Sequence, residues 1–273
     1  MVIALLGKRT ALHVSSDTGP RDGPVVVLVH GIASSSATFA GVMAALPRHR
    51  IVALDLLGFG RSAAPAAARF TIEEHAAALG AAVDKLRLAG FVLVGHSLGA
   101  LVVSRYAAEH PRGLTAVVLV SPPIYVPEKA MPSGRARVAM RLYLRSFDYL
   151  RQNKRFTMRL ARWVSRLLPV PRILDVNEGN WAAFELSLEN AIETQTSVVD
   201  IASTTVPVVI VVGTLDPFVV PEMMTLLGTL RHERVRRVAR GTHIVGRALS
   251  HAVAESVRSY APAGQARNHR GRE

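Results

Sequence analysis

The fold of this chain is decided by Phe91-Val92-Leu93-Val94-Gly95-His96-Ser97-Leu98-Gly99-Ala100, which sets one serine between two glycines where an apolar strand turns into a helix. The apolar residues before Gly95 predict a short, fully buried strand. Leu98 to Ala108 has apolar residues at helical spacing, and His110-Pro111 ends this predicted helix because proline disfavours helix in the residue before it. Glycines in a G-x-S-x-G turn let the serine sit strained and exposed. Ser97 is therefore the candidate nucleophile.

A nucleophilic serine needs a base to take its proton and an acid to orient that base. A second apolar run, Val206 to Gly213, predicts a strand that ends in Thr214-Leu215-Asp216-Pro217. Asp216 therefore lies in the loop at the carboxyl end of a buried strand. The other downstream aspartates do not follow a strong buried strand, and they are Asp148, Asp175 and Asp200. Asp216 is the candidate acid, and its position before Pro217 also suits a turn former.

The candidate base follows the last predicted strand, Val235 to Ala239. The next residues are Arg240-Gly241-Thr242-His243, and a helical pattern resumes at about Val245. A histidine in an arginine-rich tail is more often a solvated surface group, but His243 follows both a strand and a glycine. His251 falls inside the predicted helix and His269 lies in the basic tail. His243 is therefore the predicted catalytic base.

In chain order, these residues resemble the α/β-hydrolase fold family, in which the nucleophile precedes the acid and the acid precedes the histidine. Two further motifs carry the resemblance. Together with the segments around Ser97, Asp216 and His243, they cover most of the chain. Val25-Val26-Val27-Leu28-Val29-His30-Gly31 looks like the strand and His-Gly loop on the oxyanion side. Asp55-Leu56-Leu57-Gly58-Phe59-Gly60-Arg61-Ser62 looks like the family's D-x-x-G-x-G-x-S turn. The resemblance implies a mostly parallel central sheet flanked by helices.

The same resemblance implies which backbone amides form the oxyanion hole. One is the N–H of Leu98, the residue after the nucleophile, and the other is the N–H of Ile32, or of Ala33 if the loop is shifted by one residue. The family uses residues such as His30 and Asp55 to hold loops, so we interpret both as structural. No metal or organic cofactor is expected.

Length and composition fit one hydrolase core with an insertion, because 273 residues with 49% hydrophobic content can bury one large core. The predicted core comprises residues 1–121 and 206–260, and Met1 to Val14 are expected to form the first antiparallel strands. Residues 122–205 have helix-like periodicity and are the predicted helical cap, with a last helix over Asn180 to Gln195. Residues 261–273 are expected to be a disordered basic tail. Trp181 and Phe184 are candidates for the site lining or for the core.

The chain contains no cysteine, which excludes disulfides and thiol catalysis and fits a cytoplasmic location. No apolar run reaches the roughly 18 residues that a membrane-spanning helix needs. The formal charge is +13. Residues 127–180 hold 12 Lys or Arg and 4 Asp or Glu, and residues 231–273 hold 10 and 3, so the excess positive charge lies in these two segments. Nucleic-acid binding is not expected, because the basic residues lack interleaved aromatics and belong to no known nucleic-acid-binding module.

Within the predicted cap, one segment has the pattern of a basic amphipathic helix. Arginines at 155, 159, 162 and 166 run beside an apolar stripe, which consists of Phe156, Leu160, Trp163, Val164, Leu167 and Leu168. Two interpretations are open. The favoured one is an ordinary cap helix that packs its stripe on the core while the arginines reach solvent. The other is peripheral contact with an acidic lipid surface.

These observations predict a serine hydrolase that cleaves carboxylic esters, with an apolar acyl group, through an acyl-enzyme on Ser97. The ester is implied by the resemblance, since esters are common substrates of similar enzymes. Haloalkane dehalogenases and epoxide hydrolases of the same fold attack with a carboxylate, so Ser97 counts against both. Three alternatives stay open: carbon–carbon bond hydrolysis of ring-cleavage products, cofactor-free perhydrolase or haloperoxidase activity, and a non-catalytic ligand-binding role. Ile32-Ala33-Ser34-Ser35-Ser36 departs from the glycine-rich oxyanion loop of the carbon–carbon hydrolases.

Overall fold

The computed structural model describes residues 10–125, 133–167, 175–229 and 233–261. A seven-stranded sheet runs through this part of the chain in the order β1-β3-β2-β4-β5-β6-β7. Only β1 is antiparallel to its neighbour, β3, and the other pairs are parallel. The strands are β1 (Val14–Thr18), β2 (Val25–Val29), β3 (Arg50–Leu54), β4 (Phe91–His96), β5 (Leu114–Val120), β6 (Val208–Gly213) and β7 (Glu233–Val238).

The central strands are apolar on both faces because helices cover both sides of the sheet. Val27 and Val29 of β2 belong to one core layer, and Val26 and Leu28 belong to the other. The helices of the first layer include α2 (Ile72–Leu86) and α3 (Leu98–Glu109), and those of the second are α1 (Ala40–Ala44) and α9 (Arg247–Tyr260). Each side of the sheet therefore has its own apolar core.

The segment between β5 and β6, which we call the insertion (residues 122–205), is helical wherever the structure describes regular elements in it. Its long helices are α4 (Gly134–Gln152) and α5 (Lys154–Leu167). Two short helices return the chain to the sheet, α6 (Trp181–Ser187) and α7 (Ser197–Ser203), and α6 continues into a wider π-helical turn at Leu188–Ile192. The remaining helix, α8 (Pro221–Leu227), lies between β6 and β7.

Polar contacts attach the insertion to the core helices. Arg105 of α3 forms an ion pair with Asp200 of α7 at 3.5 Å and donates a hydrogen bond to Thr196 at 2.6 Å. The imidazole of His75 on α2 lies 3.1 Å from the hydroxyl of Ser187 on α6. Polar contacts to both α2 and α3 therefore tie the returning part of the insertion to the body of the protein.

The predicted fold class is confirmed, and the element boundaries differ by a few residues at most where the structure describes them. The strand predicted at 206–213 begins at Val208, and the one predicted at 235–239 spans Glu233–Val238. The antiparallel strands expected over Met1 to Val14 fall mainly on residues 1–9, which lie outside the described residues; β1 begins at Val14. Residues 262–273 of the predicted tail also lie outside them, but its first residue, Ala261, is ordered against the core and buried.

The favoured interpretation of the amphipathic helix α5 is wrong for three residues of its stripe. Phe156, Leu160 and Trp163 are exposed, and Trp163 retains 60% of its accessible surface. The face of α5 that packs on the protein instead contains Thr157 and Ala161, both buried. The side chain of Leu167 and residue Leu168 lie outside the described residues. The hydrophobic pattern predicted the stripe correctly, but it does not specify which side of a helix faces the core.

Candidate active site

Ser97 occupies the turn between β4 and α3 in a strained backbone conformation, as expected. The expectation that it is exposed is wrong, because the surrounding loops leave it only 7% of its accessible surface. Its φ is +54° and its ψ is −122°, a region that L-residues rarely adopt. A Cβ on Gly95 would collide with the carbonyl oxygen of Gly99. A Cβ on Gly99 would collide with the carbonyl oxygens at the end of β2. Both glycines of the pattern are therefore required by close backbone packing, which holds Ser97 at the carboxyl edge of the sheet.

The structure brings Ser97, His243 and Asp216 into one chain of hydrogen bonds. The Nε2 atom of His243 lies 3.1 Å from the Oγ atom of Ser97. The Nδ1 atom of His243 lies 3.1 Å and 3.0 Å from the two carboxylate oxygens of Asp216. An imidazole with its proton on Nδ1 donates to the carboxylate and leaves Nε2 able to accept from the serine hydroxyl. This arrangement can deprotonate Ser97, and the catalytic roles of the three residues stay a prediction.

The Asp216 side chain is fully buried, whereas the His243 side chain keeps 21% of its surface exposed. Burial alone would raise the pKa of Asp216. The hydrogen bond and charge of His243 outweigh burial, together with the Phe218 N–H, which donates to the carboxylate at 3.0 Å. The pKa of Asp216 is consequently lowered below its usual value. Asp216 therefore stays ionised and can stabilise a protonated His243.

Backbone contacts hold the two loops that carry Asp216 and His243 against each other. Gly213 ends β6, and a Cβ there would collide with the carbonyl oxygen of Gly241. The Leu215 N–H donates to that same carbonyl at 2.8 Å, and the Thr214 N–H donates to the Val238 carbonyl at 3.0 Å. The main chain, rather than flexible side chains, therefore sets the spacing between the acid and the histidine.

His96 is a candidate positioning residue that sequence reasoning did not identify. Its Nε2–H donates to the backbone carbonyl of His243 at 2.9 Å, and the two rings lie 5.0 Å apart. Burial lowers the pKa of His96 to about 3, so its ring is neutral at ordinary pH. The contact joins the residue before the candidate nucleophile to the loop of the candidate base. Its place inside the G-x-S-x-G pattern was the one available signal, but its partner is 147 positions away.

The loop that carries the predicted oxyanion amide of Ile32 lies beside Ser97. A Cβ on Gly31 would lie 2.9 Å from the Cβ of Ser97, so this loop approaches the serine at close range. Leu98, which supplies the other predicted amide, is the first residue of α3. Ala33, the alternative to Ile32, has a φ of +50°, and its carbonyl accepts a hydrogen bond from Asp175 N–H. The oxyanion assignment to Ile32 and Leu98 stays a prediction.

His30 and Asp55 both make the loop-holding contacts expected of structural residues. His30 Nδ1–H donates to the Gly31 carbonyl at 2.8 Å, and its Nε2 accepts from the Leu56 N–H at 3.0 Å. The Asp55 carboxylate accepts from the Arg61 N–H at 3.0 Å. These bonds join the loop after β2 to the turn after β3. Neither residue is among the hydrogen-bond partners of Ser97 or His243 in the described structure.

An aromatic path leads from the candidate base to helix α4 of the insertion. The ring of Phe218 lies 4.6 Å from that of His243 and 5.4 Å from that of Tyr143 on α4. Tyr125 lies 4.9 Å from Tyr143. A cavity of about 230 Å³ adjoins these three aromatic residues, and Met140 and Val220 are among its apolar lining. A mainly apolar cavity, with Arg135 and Glu222 also in its lining, therefore adjoins the ring that packs on the candidate base.

The remaining candidates from the sequence lie elsewhere. Asp148 forms an ion pair with Arg151 on α4, and Asp200 pairs with Arg105. Asp175 accepts from the side chain of Asn177, and His251 is exposed on α9. Trp181 and Phe184 are both buried in the hydrophobic core with their rings 5.5 Å apart. Within the described residues, no group of three or more acidic, histidine or cysteine side chains is arranged to hold a metal ion.

A family model described as alpha/beta hydrolase fold matches residues 24–246 of the chain. Among curated proteins, the probable lysophospholipase BODYGUARD 2 of Arabidopsis thaliana is 35% identical over 116 residues, which is 40% of this chain and 25% of that protein. Lipase LipV of Mycobacterium tuberculosis is 36% identical over 139 residues, 51% of this chain and 50% of the lipase. The chain thus spans between a quarter and half of the length of these relatives.

Solved structures share the fold at low sequence identity. An esterase from Exiguobacterium antarcticum superimposes with a TM-score of 0.69 and 18% identity, covering 92% of this chain and 98% of that one. E-2-(acetamidomethylene)succinate hydrolase superimposes with a TM-score of 0.66 and 20% identity, covering 89% and 92%. These likenesses support the fold alone. None of the helices in the described residues is long and apolar enough to span a membrane.

Proposed function

Because the chain belongs to the α/β-hydrolase fold family, we propose that it is a serine hydrolase that cleaves carboxylic esters through an acyl-enzyme on Ser97. The observation that carries this proposal is the continuous set of hydrogen bonds from Ser97 through His243 to Asp216. The names of the lipase and the probable lysophospholipase that resemble part of the chain are consistent with an ester substrate.

The first half of the reaction forms the acyl-enzyme. His243 Nε2 takes the hydroxyl proton of Ser97 as the Oγ atom bonds to the ester carbonyl carbon. The amides of Ile32 and Leu98 stabilise the resulting oxyanion, and loss of one such donor costs about 3 to 4 kcal/mol of transition-state stabilisation. The carbon–oxygen bond to the alcohol then breaks, and His243 returns the proton to the departing alcohol.

The second half releases the acid. A water molecule gives one proton to His243 as its oxygen bonds to the acyl carbon. The bond between that carbon and Ser97 Oγ then breaks, and Ser97 regains its proton from His243. Asp216 remains ionised throughout, orienting the imidazole and stabilising its charged form.

We also propose that the insertion, residues 122–205, is the cap of the enzyme and shapes its substrate pocket. Tyr143 of α4 is in ring contact with Phe218, so the insertion reaches the residue that packs on the candidate base. The cavity next to this contact is lined mainly by apolar and aromatic side chains. Such a cavity suits an apolar acyl group better than a charged one.

The test is hydrolysis of p-nitrophenyl esters from acetate to palmitate by the parent and by Ser97→Ala. Ser104→Ala is the matched control, because Ser104 is buried on the helix that follows Ser97 and donates to the Ala100 carbonyl. We expect a rate that peaks at one acyl length, falls at least about a thousandfold in Ser97→Ala, and stays near the parent value in Ser104→Ala.

Covalent labelling separates the competing explanations. A fluorophosphonate probe should add one adduct to the parent, located on Ser97 by peptide mass, and none to Ser97→Ala. If the folded parent is neither labelled nor active on any ester, the non-catalytic role is favoured. If it is labelled but inactive on every ester, carbon–carbon bond hydrolysis or peracid chemistry replaces the ester proposal.

A further inference from the structure

Helices α4 and α5 carry large apolar side chains that do not face the core. Seven of the nine large hydrophobic residues that are strongly exposed in the described structure lie on these two helices. Leu142 on α4 retains 62% of its surface and Trp163 on α5 retains 60%. Isolated exposed apolar residues are ordinary, but a concentration on one part of the surface indicates a contact with another apolar medium.

Six of the seven residues form two stripes at helical spacing. The stripe on α4 is Val138, Leu142 and Tyr149, and the stripe on α5 is Phe156, Leu160 and Trp163. Separations of three, four and seven residues place side chains on one face of a helix. The rings of Tyr149 and Phe156 meet edge to face at 5.5 Å, so the stripes join where the two helices meet. We call this six-residue surface the apolar face.

The opposite sides of both helices hold them on the protein. Met140 and Phe147 of α4 are buried, and so are Thr157 and Ala161 of α5. Thr157 also donates from its hydroxyl to the Leu150 carbonyl at 2.6 Å, which links the two helices. The apolar face is therefore directed outward by packing on its reverse side.

The surroundings of the apolar face are strongly basic. Residues 134–167 contain ten Lys or Arg and a single acidic residue, Asp148. The arginines at 155, 159, 162 and 166 are all exposed beside the stripe of α5. A second copy of this chain would bring two surfaces of the same sign together. A nucleic acid could stack its bases on the aromatic rings, but it would leave the exposed aliphatic side chains, such as Leu142, without an apolar partner. An anionic bilayer surface matches both features, because its phosphates attract arginine and its interior accepts apolar groups.

We propose that the apolar face of α4 and α5 docks on the surface of an anionic lipid bilayer. Trp163, Phe156 and Leu142 enter the level of the headgroups, and the flanking arginines contact lipid phosphates. Tyr143, which lies on α4 and contacts Phe218 beside His243, places the docked helix next to the candidate site. The docking does not depend on the chemistry at Ser97, so it stands or falls separately from the proposed ester hydrolysis.

The test is sedimentation of the full chain with vesicles of phosphatidylcholine alone or with one third phosphatidylglycerol. We expect the protein to sediment with the anionic vesicles and to remain in solution with the neutral ones. The triple variant Leu142→Ser, Phe156→Ser, Trp163→Ser should lose at least tenfold in partitioning. Val199→Ser is the matched control, because Val199 is also highly exposed but lies on α7, and it should bind as the parent does.

Fluorescence reports on insertion directly, since the chain has two tryptophans and Trp181 is buried. In a Trp181→Phe background, the emission of Trp163 should shift to shorter wavelength with anionic vesicles. Ser97→Ala should bind like the parent, whatever becomes of the ester hydrolysis. If the triple variant keeps its fold by circular dichroism and binds equally well, the apolar face is not the docking surface. If it instead abolishes a dimer seen by sedimentation velocity, the partner is a second copy and the proposal is overturned.

Discussion

The sheet edge that holds the candidate triad and the helix pair α4–α5 use apolar residues in opposite ways. All six residues of β4 are buried, and the strand leads directly into the strained turn at Ser97. On α5, three residues of the apolar stripe are exposed to solvent. A continuous apolar strand has both faces committed to a core, so its burial follows from its sequence. An apolar stripe occupies only one face of a helix, and its sequence does not determine what lies against that face.

The largest expected effect concerns the acid at the sheet edge. Asp216→Asn should lower the esterase rate by about 10⁴-fold with the fold unchanged, because the amide favours the wrong tautomer of His243. Asp148→Asn, the matched change on α4, should leave the rate within about twofold of the parent, since surface substitutions have small effects. The measurement is kcat/KM on the best p-nitrophenyl ester. Equal losses of kcat/KM in the two variants would contradict the assignment of the active site to the sheet edge.

The same substitution placed in each region should separate their contributions to stability. Leu93→Ala in β4 removes a fully buried side chain and should lower the free energy of unfolding by about 2 to 5 kcal/mol. Leu142→Ala on α4 removes an exposed one and should change it by no more than about 0.5 kcal/mol. Urea unfolding of both variants and the parent supplies the comparison. A loss above 1 kcal/mol in Leu142→Ala would mean that the apolar face is covered within the protein.

A smaller effect is expected from His96, which contacts the backbone rather than the reacting atoms. His96→Leu removes the hydrogen bond to the His243 carbonyl and should lower kcat by about 10- to 100-fold through misplacement of the base. KM should change little, and His96→Gln, which can still donate a hydrogen bond, should recover part of the rate. A loss in His96→Leu confined to KM would indicate a role in substrate binding and contradict the positioning role.

A pH dependence of stability is also predicted, from two buried histidines. Burial lowers the pKa of His75, which contacts Ser187 of the insertion, and of His96, at the sheet edge, to about 3. The unfolded chain protonates these imidazoles near pH 6.5 and the folded protein does not, so stability falls as the pH drops below 6.5. At pH 5 the loss is about 2 kcal/mol for each histidine.

Urea unfolding at pH 7 and pH 5 tests this linkage. In His75→Gln the fall in unfolding free energy should be about 2 kcal/mol smaller than in the parent. His251→Gln, on the exposed surface of α9, serves as the control and should retain the parent's fall. An undiminished fall in His75→Gln would show that His75 does not stay neutral in the folded protein.

By itself, the sequence determined the fold class and the positions of the apolar strands along the chain. It also determined which three side chains meet at the sheet edge, namely Ser97, Asp216 and His243. These features are local: an apolar run, a glycine pair and a residue just after a strand each act over a few positions, and parallel strands bring their carboxyl ends to one edge. Gly95 is an example, because a Cβ there would collide with the carbonyl oxygen of Gly99, four residues later.

Only the tertiary structure decided the contact of His96 with the His243 carbonyl, the aromatic path from Phe218 to Tyr143, and the outward direction of the stripe on α5. Each depends on groups far apart in the chain. When two faces of a helix can both pack on the protein, the one that fits the surface better turns inward. On α5 the small side chains Thr157 and Ala161 allow close approach to the protein, and the bulky Trp163 and Phe156 are left outside. The periodicity of the sequence predicts the apolar stripe on α5. Which face of the helix turns toward the protein depends on the shape of the surface beneath it.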